Sequence, residues 1–127
     1  MNVYDNVLIG QLLMPGVDEA GARAKAERIL ELVGLGDRAS YFPSELSGGQ
    51  QQRVAVARAL VRDAEIILAD EPTGNLDWSK AQQVIDLLSE VAHTMDRLVL
   101  IVTHDQRIAS RADRVVRIDQ GRLRADE

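Results

Sequence analysis

The sequence predicts an α/β fold with a mostly parallel sheet, and three observations predict it. Two short apolar runs, Ile66 to Ala69 and Leu98 to Val102, lack the alternation of a half-exposed strand. They are therefore expected as strands covered on both faces. Segments with helical apolar spacing precede and separate them, and the resulting order of strand, helix, strand, helix, strand is the pattern of parallel α/β sheets.

Val7 to Met14 is an apolar stretch expected to form a helix with one face in the core and one face outward. Asp18 caps the next helix, whose apolar positions Ala22, Ala26, Ile29, Leu30 and Val33 recur at helical spacing before Gly34 ends it. A loop with Pro43 leads to Ser47 and a second periodic helix bearing Val54, Ala57, Leu60 and Val61. After the first strand, Asp77 or Ser79 starts a helix carrying Val84, Ile85, Leu88, Val91 and Ala92. A short helix from Asp105 comes after the second strand. At the end, "RVVRI" and "RLR" flank Gln120-Gly121 as a hairpin.

Composition bounds the function. With 127 residues the chain is one domain or a piece of one, and 46% hydrophobic content is that of a globular protein. The net charge of −5 gives no electrostatic case for nucleic acid or an anionic membrane. There are no cysteines, which excludes disulfides and thiolate metal sites and fits a reducing compartment. No apolar run approaches the roughly 20 residues of a membrane span, and no signal-peptide pattern opens the chain. The expectation is a soluble, cytoplasmic chain.

Chemistry concentrates at the strand ends. In open α/β sheets ligands gather beyond the carboxyl ends of the strands. The first strand ends in Asp70-Glu71-Pro72 and the second in Thr103-His104-Asp105. If the strands are neighbours, carboxylates and an imidazole share one edge. Asp70 then suits a water-bridged Mg²⁺, an ion that takes few carboxylates and keeps several waters. Glu71 is placed to polarise an attacking water, and His104 to donate to a phosphoryl oxygen. Each strand end alone is equally open to a plainer reading, in which acidic residues terminate strands and His104 caps the next helix. At "SELSGGQQQR", the paired glycines free the backbone for the close approach of an anion at a helix start, or simply form a turn.

Four motifs occur together in order: "LSGGQ" at Leu46 to Gln50, "ILADE" at Ile67 to Glu71, "GNLD" at Gly74 to Asp77 and "THD" at Thr103 to Asp105. This set resembles the signature motif, Walker B, D-loop and H-loop of the ATP-binding cassette (ABC) ATPases, over essentially the whole chain. "DEPTGNLD" and "VTHD…ADRVVRIDQGR" are most similar to the transporter branch for lipoprotein release, macrolide export or peptide export. The resemblance implies a partial P-loop NTPase fold, with a helical signature part over residues 1–62 and a Walker B to C-terminal α/β part over 63–127. It implies ATP and Mg²⁺ as cofactors, with Asp70 on the metal through water and Glu71 and His104 in catalysis. Ser47, Gly48 and Gly49 would touch the γ-phosphate of a nucleotide held by a second cassette, with Gln50 positioning the motif. Asn75, Leu76 and Asp77 would cross to that partner in a homodimer. Arg53 and Arg58 are expected in solvated or ion-paired structural roles, and His93 at the surface. Trp78, where the family commonly has a small or polar residue, either contacts the partner or covers its own helix.

The resemblance also defines what the 127 residues lack. A P-loop needs G-x-x-x-x-G-K-[ST], and neither lysine, Lys25 or Lys80, comes directly after a glycine. The family's adenine-stacking aromatic and glutamine loop are missing too. "MNVYDNVLIGQLLMPG" is similar to the segment just after that glutamine in the family, so the chain is expected to begin within a cassette. In the family's sheet the P-loop strand lies between the Leu98–Val102 strand and the last strand near Val115, which leaves a slot with unpaired edges.

Three functions fit. One is the C-terminal part of a transporter ATPase, at the inner face of a membrane through a permease, driving export or lipoprotein release. The 127-residue chain alone is then expected to be inactive. Another is a nucleotide-incompetent interaction module, and a third is a soluble ABC ATPase of DNA repair or translation. The negative charge argues against nucleic acid as a partner. The transported substrate is not legible, because the permease and not the ATPase contacts it.

Overall fold

Three helices built from the N-terminal half enclose the first part of the core. In the computed structural model, which describes residues 1–125, α1 spans Val3–Leu12, α2 Glu19–Leu32 and α3 Gly48–Val61. Each begins at a capping side chain that takes an otherwise unpaired N–H. Asn2 accepts from Asp5 N–H, Asp18 from Gly21 N–H and Ser47 from Gln50 N–H. Gly34, at φ +78°, turns the chain out of α2 as expected. The buried faces are Val3, Val7 and Leu8 on α1, Ala22, Ala26, Ile29 and Leu30 on α2, and Val54, Val56, Ala57, Leu60 and Val61 on α3. The expected second face of α1 is present: Ile9 and Leu12 are exposed, as is Leu13 at the C-cap.

The second half alternates strand and helix. β1 (Ile66–Asp70) and β2 (Leu98–Val102) pair in parallel, Ile66 opposite Leu98 through Asp70 opposite Val102. α4 (Trp78–Thr94) crosses between them, capped by Asp77, which accepts from Lys80 N–H at 2.9 Å. It buries Ala81, Val84, Ile85, Leu87, Leu88 and Val91. One continuous core therefore runs from α1 through α4 to Ile67 and to Ile108 of the short α5 (Gln106–Ala109). Where α3 hands over to β1, Asp63 sits at φ +56°. Its carboxylate pairs with Lys25 of α2, and Arg97 donates to the carbonyls of Asp63 (3.2 Å) and Ala64 (3.1 Å). These bonds tie the helical part to the start of both strands.

Two expectations need correction. The strands are not covered on both faces. Ile67 is buried and Val99 and Ile101 are half-buried, but on the other face Leu68 is 74% exposed and Leu98 61%. An apolar run without alternation is what two covers require, and among the described residues only one side is supplied with helices. Nor does a third strand join β1 and β2. The expected hairpin forms, β3 (Val116–Asp119) antiparallel to β4 (Arg122–Ala125), with Gln120 and Gly121 at φ +49° and +76° in its turn. It stands as a separate two-stranded sheet. The slot anticipated beside β2 is thus open among the described residues. His93 is at the surface, as expected, with its Nε2 2.8 Å from Asp113.

Candidate functional site

The carboxyl ends of β1 and β2 lie side by side because the strands pair in register, and this brings Glu71 to Thr103 and His104. Glu71 leaves the strand at φ +46°, a left-handed conformation that costs a non-glycine residue about 1–3 kcal/mol. Its N–H still donates to Val102 (2.8 Å), so the ladder extends one residue past β1 before the chain turns. The turn swings the side chain across to β2. There its Oε1 accepts from the His104 N–H at 3.2 Å and lies 2.7 Å from His104 Nδ1, while Thr103 Oγ1 donates to Oε2 at 3.4 Å. Three donors thus orient one carboxylate. The Thr103 bond is the longest, so Oε2 is the freer oxygen and the one available to a water.

The His104 side chain is 92% exposed and is held by that one ring bond. With Nδ1–H given to Glu71, Nε2 is directed away and can donate only when the ring is doubly protonated. Asp70, the last residue of β1, lies on the bare face of the sheet and is exposed. No group of three or more His, Cys, Asp or Glu among the described residues could cage a metal. A single open carboxylate of this kind fits an ion that keeps most of its waters, as Mg²⁺ does.

The glycine-rich helix start is a second, separate piece. Ser47 and Gln50 form a reciprocal box: Ser47 Oγ accepts from Gln50 N–H (3.2 Å), and Gln50 Oε1 accepts from Ser47 N–H (3.0 Å). The box consumes two donors and leaves the N–H groups of Gly48 and Gly49, which no intrahelical carbonyl can reach. A Cβ on Gly48 would stand 3.0 Å from Leu76 Cδ2, so a larger residue there would make Leu76 shift by a few tenths of an ångström. Leu76 is half-buried, whereas Asn75 and Asp77 are exposed. No hydrogen bond or ion pair among the described residues joins Ser47, Gly48, Gly49 or Gln50 to Glu71 or His104. Of the two arginines on α3, Arg53 donates to Gln83 of α4 (2.8 Å) and Arg58 is exposed.

Sequence reasoning missed three participants. Thr103 was visible as a strand end and as the first residue of the "THD" motif but was given no role, yet it donates to Glu71 and accepts from Asp105 N–H at 3.0 Å. Asp105 and Arg107 form a bidentate pair, at 3.1 and 2.8 Å, and Arg107 stacks on Trp78. The i, i+2 spacing of acid and base beside the helix cap was the available signal.

A family model described as ABC transporter matches residues 1–74, more than half of the chain. The chain belongs to the ABC transporter family. It is 50% identical over 123 residues to the lipoprotein-releasing system ATP-binding protein LolD of Legionella pneumophila (strain Paris), a match that covers 97% of this chain and 54% of the relative. It is 53% identical over 104 residues to the macrolide export ATP-binding/permease protein MacB of Hyphomonas neptunium (strain ATCC 15444), covering 82% of this chain and 16% of the relative. Among solved structures, an inward-facing putative metal-chelate type ABC transporter superposes with a TM-score of 0.90 at 27% identity, covering all of this chain and 52% of that one. The dimeric bacterial ABC transporter cassette MJ0796 gives 0.79 at 33% identity, covering 98% of this chain and 56% of that one. The same cassette is known as a dimer in a post-hydrolysis state bound to ADP and Pi. The α/β fold here is thus part of an ABC cassette fold, and the chain spans about half the length of the LolD relatives it matches. No described helix is long and apolar enough to cross a membrane.

Proposed function

We propose that this chain supplies the hydrolytic strand ends and the signature helix of a transporter ATPase that couples ATP hydrolysis to export or lipoprotein release. The observation that carries the reading is the Glu71 carboxylate, turned out of its strand and held by Thr103 and His104, with its less tightly bonded oxygen Oε2 available to a water. In this reading Glu71 polarises the attacking water and His104 contacts the transferring phosphoryl group. Asp70 would hold Mg²⁺ through water, and that ion would neutralise charge on the phosphates. Residues 1–62 act as the helical signature part and 63–127 as the hydrolytic part.

The nucleotide itself is held elsewhere, by a P-loop that these 127 residues do not contain. Ser47, Gly48, Gly49 and Gln50, unconnected to Glu71 in their own chain, serve the nucleotide of a second cassette. The dimeric state of the MJ0796 cassette supports such pairing, with Asn75, Leu76 and Asp77 at the crossing. In the same reading the exposed Ile9 and Leu12 of α1 and Leu13 at its C-cap face a permease, with the subunit on the cytoplasmic side of a membrane. Nucleic acid has no place in this reading, given the net charge of −5.

Completing the cassette with the N-terminal part of the Legionella relative provides the test. Glu71→Gln should lower ATP turnover by about 10²–10⁴-fold, the range of a positioned general base, with ATP binding retained. Turnover within twofold of the parent removes Glu71 from the chemistry. The interaction-module reading draws on the missing P-loop pattern, and calorimetry on the 127-residue chain addresses it. Binding of ATP-Mg²⁺ should be millimolar or weaker, and micromolar binding would reveal a nucleotide site within the chain itself.

A further inference from the structure

Trp78 and Arg107 touch each other, and each stands a few residues along the chain from a part of the site. Trp78 is the first residue of α4 and comes directly after Asp77, the cap that ends the Asn75–Asp77 loop. Arg107 lies three residues beyond His104. Its guanidinium carbon stands 4.0 Å from the centre of the Trp78 ring, within the range of a cation–π stack. The edge of the same guanidinium is occupied by Asp105, with Nε at 3.1 Å from Oδ1 and Nη2 at 2.8 Å from Oδ2. Face and edge are therefore both engaged, a use of the planar fork that lysine could not reproduce.

Asp105 carries the constraint toward the site. Its Oδ1 also accepts the Arg107 N–H (2.9 Å), and its own N–H donates to Thr103 Oγ1 (3.0 Å), the hydroxyl that in turn donates to Glu71. The 103–107 turn is thus closed by hydrogen bonds from end to end. Arg107 beside it holds the Asp105 carboxyl below the usual aspartate range, so the pair stays charged. The His104 ring is exposed and fixed by a single bond, so its placement depends on the backbone of this turn. The Arg107 side chain is itself 61% exposed, so burial of apolar surface does not explain its position.

We propose that Arg107, clamped between Asp105 and the face of Trp78, is a positioning residue that holds the His104–Glu71 pair in register with the Asn75–Asp77 loop. The consequence rests on the proposed role of Glu71 in hydrolysis: a partner cassette that moves the loop moves Trp78, and through Arg107 the turn that places His104. The bridge joins the contact between cassettes to the chemistry within one of them.

The chain supplies its own probes, one tryptophan and two histidines. In the 127-residue chain, Arg107→Gln should shift the Trp78 emission. Nitrogen-15 spectra should show the His104 ring signals moved in Trp78→Ala and Arg107→Gln and restored in Trp78→Phe, which keeps a ring for the stack. His93, near the far end of α4, is the control and should not move. If Trp78→Ala disturbs His93 as well, α4 has been damaged and Arg107→Gln, at an exposed side chain, decides. Unmoved His104 signals in Arg107→Gln overturn the bridge. In the completed cassette, Arg107→Gln should lower kcat by about tenfold with KM for ATP within about twofold, as a small displacement of a placed group does. Trp78→Phe should retain most of the turnover. An inactive Glu71→Gln cassette beside an unchanged Arg107→Gln cassette overturns the bridge alone. An active Glu71→Gln cassette overturns the reading on which it rests.

Discussion

The two faces of the β1–β2 sheet are made of the same kinds of residue and live in opposite environments. Ile67 on one face is 5% exposed, while its neighbour Leu68 on the other is 74% exposed. Leu98, Leu100 and Val102 share the bare side with Ile66 and Asp70. An isolated domain gains nothing by placing five large aliphatic side chains in water, and such patches mark surfaces that are covered in use. The bare face is therefore informative about what the strands were selected to meet, and the covered face about what holds this chain together.

The sharpest way to break that comparison is to truncate each face in turn. In the 127-residue chain, Ile67→Ala should cost about 2–5 kcal/mol, the range for a buried aliphatic side chain that leaves a cavity. Leu68→Ala should cost less than about 0.5 kcal/mol, as exposed substitutions do. Urea denaturation monitored by circular dichroism measures both. In the completed cassette the Leu68→Ala penalty should rise toward that of Ile67→Ala. If Leu68→Ala is already costly in the 127-residue chain, the bare face is covered in solution by association, which a concentration dependence of the midpoint would expose.

The contrast also explains what was legible in the sequence. The helices were, because Asp18, Ser47 and Asp77 are capping residues placed just ahead of apolar positions at helical spacing, signals that do not depend on the rest of the molecule. The parallel pairing was legible in outline, since Ile66–Asp70 and Leu98–Val102 are too apolar for an edge hairpin. Their double burial was not delivered here, because a run such as "LVLIV" records the covers a strand is suited to and says nothing of which chain supplies them. At the site, Asp70, Glu71 and His104 were visible as polar endings of apolar runs. The left-handed turn at Glu71 and the Thr103 hydroxyl were not, because both arise from the pairing of strands far apart in sequence. Trp78 was conspicuous, but its partner emerges only from the packing of α5 beside α4.

A smaller effect is expected within one turn of α3, where the space beside the backbone differs between neighbours. Gly48 and Gly49 are adjacent, yet a Cβ on Gly48 would press on Leu76 Cδ2 at 3.0 Å, whereas one on Gly49 would meet Lys80 Cβ at 3.9 Å, an ordinary contact. Alanine is favoured over glycine in a helix by about 0.5–1 kcal/mol. Gly49→Ala should therefore stabilise the 127-residue chain by up to that amount. Gly48→Ala should forfeit the gain, because Leu76 must yield. Thermal melts of the two variants side by side give the ordering. A Gly48→Ala chain as stable as Gly49→Ala would mean that Leu76 is loosely held and does not fix the helix start.

The smallest effect is expected where the covered side of the molecule is tied to the hairpin. His93, near the C-terminal end of α4, has Nδ1 2.9 Å from the Ser89 carbonyl oxygen and Nε2 2.8 Å from Asp113 Oδ2, on the segment leading to β3. Both neighbours are acceptors, so the arrangement suits a ring protonated on both nitrogens. Asp113 first, then the Ser89 carbonyl, raises the His93 pKa above its ordinary value of 6.5. Linkage gives the sign: the folded state binds the proton more tightly than the unfolded chain. The pair's stabilisation is then fully present below about pH 6.5 and fades as pH rises through the folded-state pKa. Both side chains are more than half exposed, so the effect is small and weakened by salt. The melting temperature of the parent should exceed that of His93→Gln by more at about pH 5.5 than at about pH 8.5, and Asp113→Asn should remove the pH dependence of that gap. A gap that is the same at both pH values would show that the pair does not hold the hairpin segment to α4.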